Sequence, residues 1–192
     1  MSAPSVPKRT LNPCVPVIPA PVVLVTCRDG AGADNIITLS WVGIVNSAPP
    51  MVGVAIRPSR HSHAMIVAAG EFGLNIPSAA QLRLADRCGT VSGRSVDKFH
   101  ETGFTRFAGT HVKAPLIAEC PINLECAVRQ RLHLGTHDLF LGEVLAAHVS
   151  ESCMKGDLLD VAAAAPVAYA PEANQYWSLG QVLGTYGFTA KK

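Results

Sequence analysis

Between Pro21 and Ser62 the chain reads PVVLVTCRDGAGADNIITLSWVGIVNSAPPMVGVAIRPSRHS, which sets three apolar strand-like runs, one glycine-rich turn and a basic helix entry side by side. Val22 to Thr26 is a β-branched run, and the turn from Arg28 to Ala33 carries Asp29-Gly30, a strong hairpin signal. A second strand is expected from Asn35 to Trp41. It interleaves Asn35, Thr38 and Ser40 with Ile37, Leu39 and Trp41, so its two faces differ and one can hydrogen-bond a ligand. Pro49-Pro50 forces an extended or turn backbone, after which Met51 to Ile56 predicts a third strand closed by Arg57-Pro58.

Ser59 is then the expected N-cap of a helix that runs to a stop at Gly70, with Arg60, His61, Ser62 and His63 in its first turn. A helix start presents unsatisfied N–H groups and a positive dipole end, so cations gathered there oppose local stability. Arg57, Arg60 and His61 make sense at that position if an anion, most simply a phosphate, lies between them. The competing account is that they are ordinary solvated residues beside a turn.

The remaining chain continues the pattern. Glu71 to Ile76 predicts a strand ended by Pro77, and Ser78 with Gln81 forms a capping-box pattern opening a helix through Leu82, Leu84 and Ala85 to Gly89. This places Asn75 just before a helix start. Thr90 to Ser95 has loop composition, and Asp97 can cap a short helix from Lys98 to Thr102 before Gly103. Lys98, in the first turn, repeats the anomaly of Arg60. Leu124 to Leu132 and Leu139 to Val149 predict two long antiparallel strands about a turn at Gly135 to Asp138. Strands, helical insertions and strands in that order suit an antiparallel barrel with appended helices.

Composition narrows the function. A chain of 192 residues, 48% hydrophobic, is long enough for one compact domain with a sizeable core. A net charge of +2 with scattered Lys and Arg gives no footprint for nucleic acid. No run reaches transmembrane length and the N-terminus lacks a secretory apolar region, so a cytoplasmic protein without a membrane partner is expected. Residues 1–20, dense in proline, predict an extended arm that drapes over a neighbouring subunit, and residues 21–192 the domain.

Cys14, Cys27, Cys88, Cys120, Cys126 and Cys153 form no Cys-x-x-Cys pair and are read mostly as buried thiols. Cys27 is singled out by its place at a strand end, but a redox or metal role is the minority reading beside that of a small apolar core residue. His111, His133, His137 and His148 lack ligand spacing and are read as surface or satisfied residues, so no metal site is expected. Gly30-Ala31-Gly32 has no third glycine and no βαβ context, and neither a Walker A pattern nor Gly-x-Ser-x-Gly occurs.

The run VTCRDGAGADNIITLSWVGIVNSAPPMVGVAIRPSRHS, followed by GEFGLNIPS, by SVDKF and by Tyr176-Trp177-Ser178-Leu179-Gly180, resembles the flavin reductase-like family, from about Pro21 to Tyr186. That family consists of FMN-binding split barrels and includes flavoredoxins. The resemblance implies a mainly β split barrel with appended helices, FMN as cofactor and a homodimer. It implies flavin contacts at Thr26, Cys27, Asn35, Thr38, Leu39, Ser40 and Trp41, a phosphate side at Arg57, Arg60 and His61, and further contacts at Asn75, Ile76 and Lys98.

Three functions follow from this. One is an oxidoreductase that moves hydride from NADH or NADPH to flavin or a small acceptor, supplying a partner such as a flavin-dependent monooxygenase. Another is a flavoredoxin-type electron carrier serving a redox partner protein, and the last a binding module that has lost the cofactor. No residue reads as a required acid or base, since a flavin carries hydride chemistry itself.

Overall fold

The structure, a computed structural model, describes residues 6–190. In chain order the strands and helices are β1 (Ala20–Pro21), β2 (Val23–Arg28), β3 (Asp34–Leu39), β4 (Val42–Ser47), β5 (Pro50–Ile56), α1 (His61–Ala69), β6 (Glu71–Ile76), α2 (Leu82–Thr90), α3 (Lys98–Thr102), β7 (Arg106–Phe107), β8 (Leu116–Ile117), β9 (Ile122–His133), β10 (Asp138–Val149), β11 (Met154–Lys155), β12 (Leu158–Leu159), α4 (Val161–Ala164), β13 (Val167–Ala170) and β14 (Gln175–Ser178).

Seven strands form one antiparallel sheet in the order β3, β2, β6, β9, β10, β5, β4. Its two edge strands, β3 and β4, are joined by Ser40 and Trp41 alone. Six strand spacings would separate the edges of a flat sheet by about 29 Å. Three Cα steps from Leu39 to Val42 reach only about 11 Å. The sheet therefore has to curl until its edges meet, and the Ala55 N–H donating to the Trp41 carbonyl at 2.9 Å pins the corner. This is an antiparallel barrel, as the order of sequence elements leads one to expect.

Both faces of β2 and β3 are covered. Val23, Val25, Cys27 and Ile37 point into the barrel with Val54, Phe72 and Phe140, while Leu24 and Ile36 face a second core built from Ala85, Cys88, Phe99 and Phe104 of the α2 and α3 layer. Inside the barrel, a Cβ on Gly142 would lie 2.6 Å from the Phe72 ring, so glycine there makes room for a buried phenylalanine of the core.

Several expectations are corrected. β4 was not expected, because Gly43, Ile44 and Val45 face solvent and give no alternating pattern. β3 ends at Leu39 and Trp41 lies in the corner beyond it. Arg60, with extended φ and ψ, is the N-cap of α1 in place of Ser59, so Arg60 precedes the first turn. The capping box of Ser78 and Gln81 forms, but opens a 3₁₀ turn (Ala79–Gln81) before α2, which runs on to Thr90. Asp97 caps α3 as expected, accepting from the His100 N–H at 3.1 Å.

The arm lies partly outside the described residues. From Val6 to Pro19 it has no regular structure, and the Val15 N–H donates to Glu172 of the same chain at 3.1 Å.

Candidate functional site

Two adjacent recesses open where β3 passes beneath the start of α1 and the end of α2. The first, about 230 Å³, is walled by β3 at Asn35 and Ile37, by Ser59 to Ser62, by the α2 end and loop from Cys88 to Arg94, and by Lys98. α1 enters it with no side-chain cap and no acidic residue in its first turn, so its first N–H groups are available to a ligand. Arg60, His61 and Arg94 add cationic side chains, and Arg94 Nη1 donates to the Ser59 carbonyl at 3.3 Å, bracing the loop.

At the floor of this recess the Asn35 amide donates to Ser62 Oγ at 2.7 Å while its Oδ1, buried, has no partner. A buried polar atom left unpaired costs about 1–3 kcal/mol, which a ligand hydroxyl can remove by donating to it. Gly93 lies against the same amide: a Cβ there would come within 2.5 Å of Asn35 Cγ, so the loop reaches Asn35 only because residue 93 has no side chain.

Lys98 also lines this recess but points inward. Its Nζ donates to the carbonyls of Ile36 at 2.7 Å and Cys88 at 2.6 Å, and burial lowers its pKa below that of an ordinary lysine. Two of its three N–H donors thus hold the α2 and α3 layer on β3.

The second recess, about 350 Å³, shares Ile37, Arg60 and Gly89 with the first and is lined by Thr38 to Trp41, Arg57, Asp86, His137, Tyr169 and Tyr176. Trp41 and His137 stack with centroids 6.1 Å apart and planes at 10°. Arg57 Nε donates to His137 Nε2 at 3.4 Å, and burial, then the Arg57 charge, lower the histidine pKa. Across the recess Tyr176 packs on Tyr169 at 5.3 Å and donates to Asp86 at 2.8 Å; burial, then that bond, push its phenol up to about 12. One recess is polar and cationic, and the other is walled by four rings.

The structure brings Asn35, Thr38, Leu39, Ser40, Trp41, Arg57, Arg60, His61 and Lys98 to these recesses. Thr38 does not share a face with Asn35: its hydroxyl donates to the Ala85 carbonyl of α2. The other four lie elsewhere. Cys27 points into the barrel against Met65, its thiol pushed up to about 12, chiefly by burial. Asn75 has both ends of its amide engaged, donating to the Leu24 carbonyl at 2.8 Å and accepting from Ile117 N–H at 2.9 Å and Asn123 at 2.8 Å. Thr26 is buried beside it, and Ile76 packs against the barrel core.

Asp86, His137, Tyr169, Tyr176 and the Ser92-Gly93-Arg94 loop were missed. The loop had a signal, since serine, glycine and arginine directly after a helix suit an anion cradle. His137 had none, because only the long-range pairing of β10 with β5 brings the β9–β10 turn beside Trp41. His133 and His148 are engaged with Asp138 and Glu125, at 2.7 and 2.8 Å.

The fold and much of the sequence are shared with other proteins. The flavin reductase like domain family matches residues 16–173, and the chain belongs to that family. Its structure is similar to that of a flavoredoxin from Desulfovibrio vulgaris (Miyazaki F), with a TM-score of 0.91 and 34% identity over 96% of this chain and all of that one. In sequence it is 37% identical to an uncharacterized protein of Archaeoglobus fulgidus, over 60% of this chain and 66% of that relative. It is 31% identical to an NADH:riboflavin 5'-phosphate oxidoreductase of Streptomyces pristinaespiralis, over 72% of this chain and 76% of that protein.

Proposed function

We propose that the protein is an FMN-dependent oxidoreductase that takes hydride from NADH or NADPH and passes reducing equivalents to a small acceptor or a partner protein. The observation that carries this reading is the pair of neighbouring recesses that share Ile37, Arg60 and Gly89, one cationic around an open helix start and one lined by aromatic rings. Together they match a ligand with a phosphate at one end and a planar ring system at the other.

The donor set fits FMN. Arg60, His61, Arg94 and the first N–H groups of α1 would hold the phosphate, and Asn35 Oδ1 would accept from a ribityl hydroxyl. Thr38, Leu39, Ser40 and Trp41 would flank the ring, with His137, Tyr169 and Tyr176 around the mouth. When bound, FMN supplies a ring that accepts and releases two electrons, so the protein itself needs only to bind, orient and shield. Arg57, which lines the mouth of the aromatic recess, would place positive charge near a bound ring and so favour anionic charge there.

Anaerobic mixing of the FMN-loaded protein with NADH and with NADPH tests the assignment. Loss of flavin absorbance within seconds with one of them is expected. Flavin left oxidised by both, yet reduced by a low-potential electron-transfer protein, would replace this reading with the second one, a flavoredoxin-type carrier, which the similarity to a flavoredoxin over nearly the whole chain favours.

The same reading includes a homodimer. Ile44, Val45, Val182, Leu183, Tyr186 and Phe188 are exposed apolar residues on β4 and the C-terminal segment, an unusual load for a monomer's surface. Light scattering should report twice the chain mass, and a monomer at micromolar concentration would rule the dimer out. No helix among the described residues is long and apolar enough to cross a membrane.

A further inference from the structure

Asp138 opens β10 directly after His137, and its carboxylate is buried. His63 Nε2 lies 2.8 Å from one oxygen and His133 Nδ1 2.7 Å from the other, with Arg131 Nε at 3.8 Å. A carboxylate only accepts, so both imidazoles present N–H to it, and these contacts hold its carboxyl below the usual carboxylate range. His63 belongs to the first turn of α1, next to His61 and Ser62 of the cationic recess, and its ring is held edge-on to Phe140 at 5.3 Å. The backbone of Asp138 pairs with Ile56, so that the adjoining residues His137 and Arg57 meet at the mouth of the aromatic recess.

We propose that Asp138 is a positioning residue for the cofactor: through His63 it sets the helix start that receives the phosphate, in register with the His137 wall beside the ring. This rests on the FMN reading given above. Among the described residues, the charged or titratable groups facing the carboxylate are His63 from α1 and His133 and Arg131 from β9. Asp138 does not line either recess, so it acts only through the residues it holds.

The sign of the effect separates positioning from simple electrostatics. Asp138 is an anion near a proposed phosphate site. Were it a bystander, Asp138→Asn would leave FMN affinity unchanged or raise it. If it positions α1, the same change lowers FMN affinity, because a neutral amide has one acceptor oxygen and cannot accept from both rings in their present orientations.

The experiment is titration of wild type, Asp138→Asn, His63→Gln and His63→Leu with FMN and with riboflavin, followed by flavin fluorescence. Asp138→Asn and His63→Leu are expected to weaken FMN about tenfold and riboflavin much less. His63→Gln, whose amide can still donate to Asp138, should keep the wild-type ratio. The His63 pair decides the matter if Asp138→Asn does not fold. Unchanged or tighter FMN binding, equal weakening of both flavins, or His63→Gln behaving like His63→Leu overturns the inference while the FMN reading stands. Wild type that binds neither flavin sinks that reading, and this inference with it.

Discussion

Lys98 Nζ donates to the carbonyl oxygen of Ile36 at 2.7 Å, deep beneath the α2 and α3 layer. With its second bond, to Cys88, this makes Lys98 a strut between helix layer and barrel as well as a lining residue of the cationic recess. Lys98→Met removes both bonds and leaves two carbonyls without a donor. Hydrogen bonds to charged groups contribute about 1.5–3 kcal/mol each, and loss of desolvation offsets part of that. A loss of about 3 kcal/mol in urea unfolding is expected, and an unchanged midpoint would show that the strut carries no stability.

Arg60 and Arg94 flank the open start of α1 and lack the inward bonds of Lys98. Arg60→Ala should therefore weaken FMN at least about tenfold, the value of one charge-assisted bond, and riboflavin far less, because riboflavin has no phosphate. Isothermal titration with both flavins measures the difference. Equal losses for the two ligands would take Arg60 away from the phosphate.

Gly93→Ala places a methyl group on the Asn35 amide. Either the loop from Val91 to Arg94 lifts or Asn35 swings away from Ser62, and each spoils the cationic recess. The expected result is FMN binding weakened by about 1–3 kcal/mol. Wild-type affinity in this variant would mean that the loop does not close on Asn35.

Glu125 is fully buried in β9 and accepts from the backbone N–H groups of Thr110, His111 and Val112 and from His148. Burial alone would raise its pKa, but these donors bring it from 4.5 to about 2. The folded state thus holds the ionised form more tightly than the unfolded chain does. This stabilisation, about 3 kcal/mol, is present above pH 4.5 and is lost as pH falls toward 2. Denaturation at pH 5 and pH 3 should show the drop in wild type and a smaller one in Glu125→Gln, which starts less stable. Parallel curves for the two proteins would remove Glu125 from the acid transition.

Cys14 is exposed and the other five cysteines are buried; burial pushes Cys27, Cys120 and Cys126 up to about 12 and Cys88 to about 11. Because the thiolate is the reactive form, the native protein should release colour from a disulfide reagent at one fast thiol per chain, and at six after unfolding. A Cys14→Ser variant that keeps the fast thiol would contradict this assignment.

Much of the chain could be read without its fold. Val22 to Thr26, Met51 to Ile56 and Glu71 to Ile76 announce strands by composition and flanking breakers, and Asp97 and Gly103 bound α3, because alternation, caps and turns are decided by neighbours a few residues away. The anion expected at Arg60 and His61 follows from equally local physics, the dipole and free N–H groups of a helix start. Tertiary structure decided where each polar group points. Lys98 turns inward to a carbonyl 62 positions away, Cys27 and Asn75 face the interior, and Trp41 finds His137 because both flank the end of β5. A buried polar side chain goes where its hydrogen bonds can be completed, and those partners are set by how the sheet closes, which no stretch of sequence carries by itself.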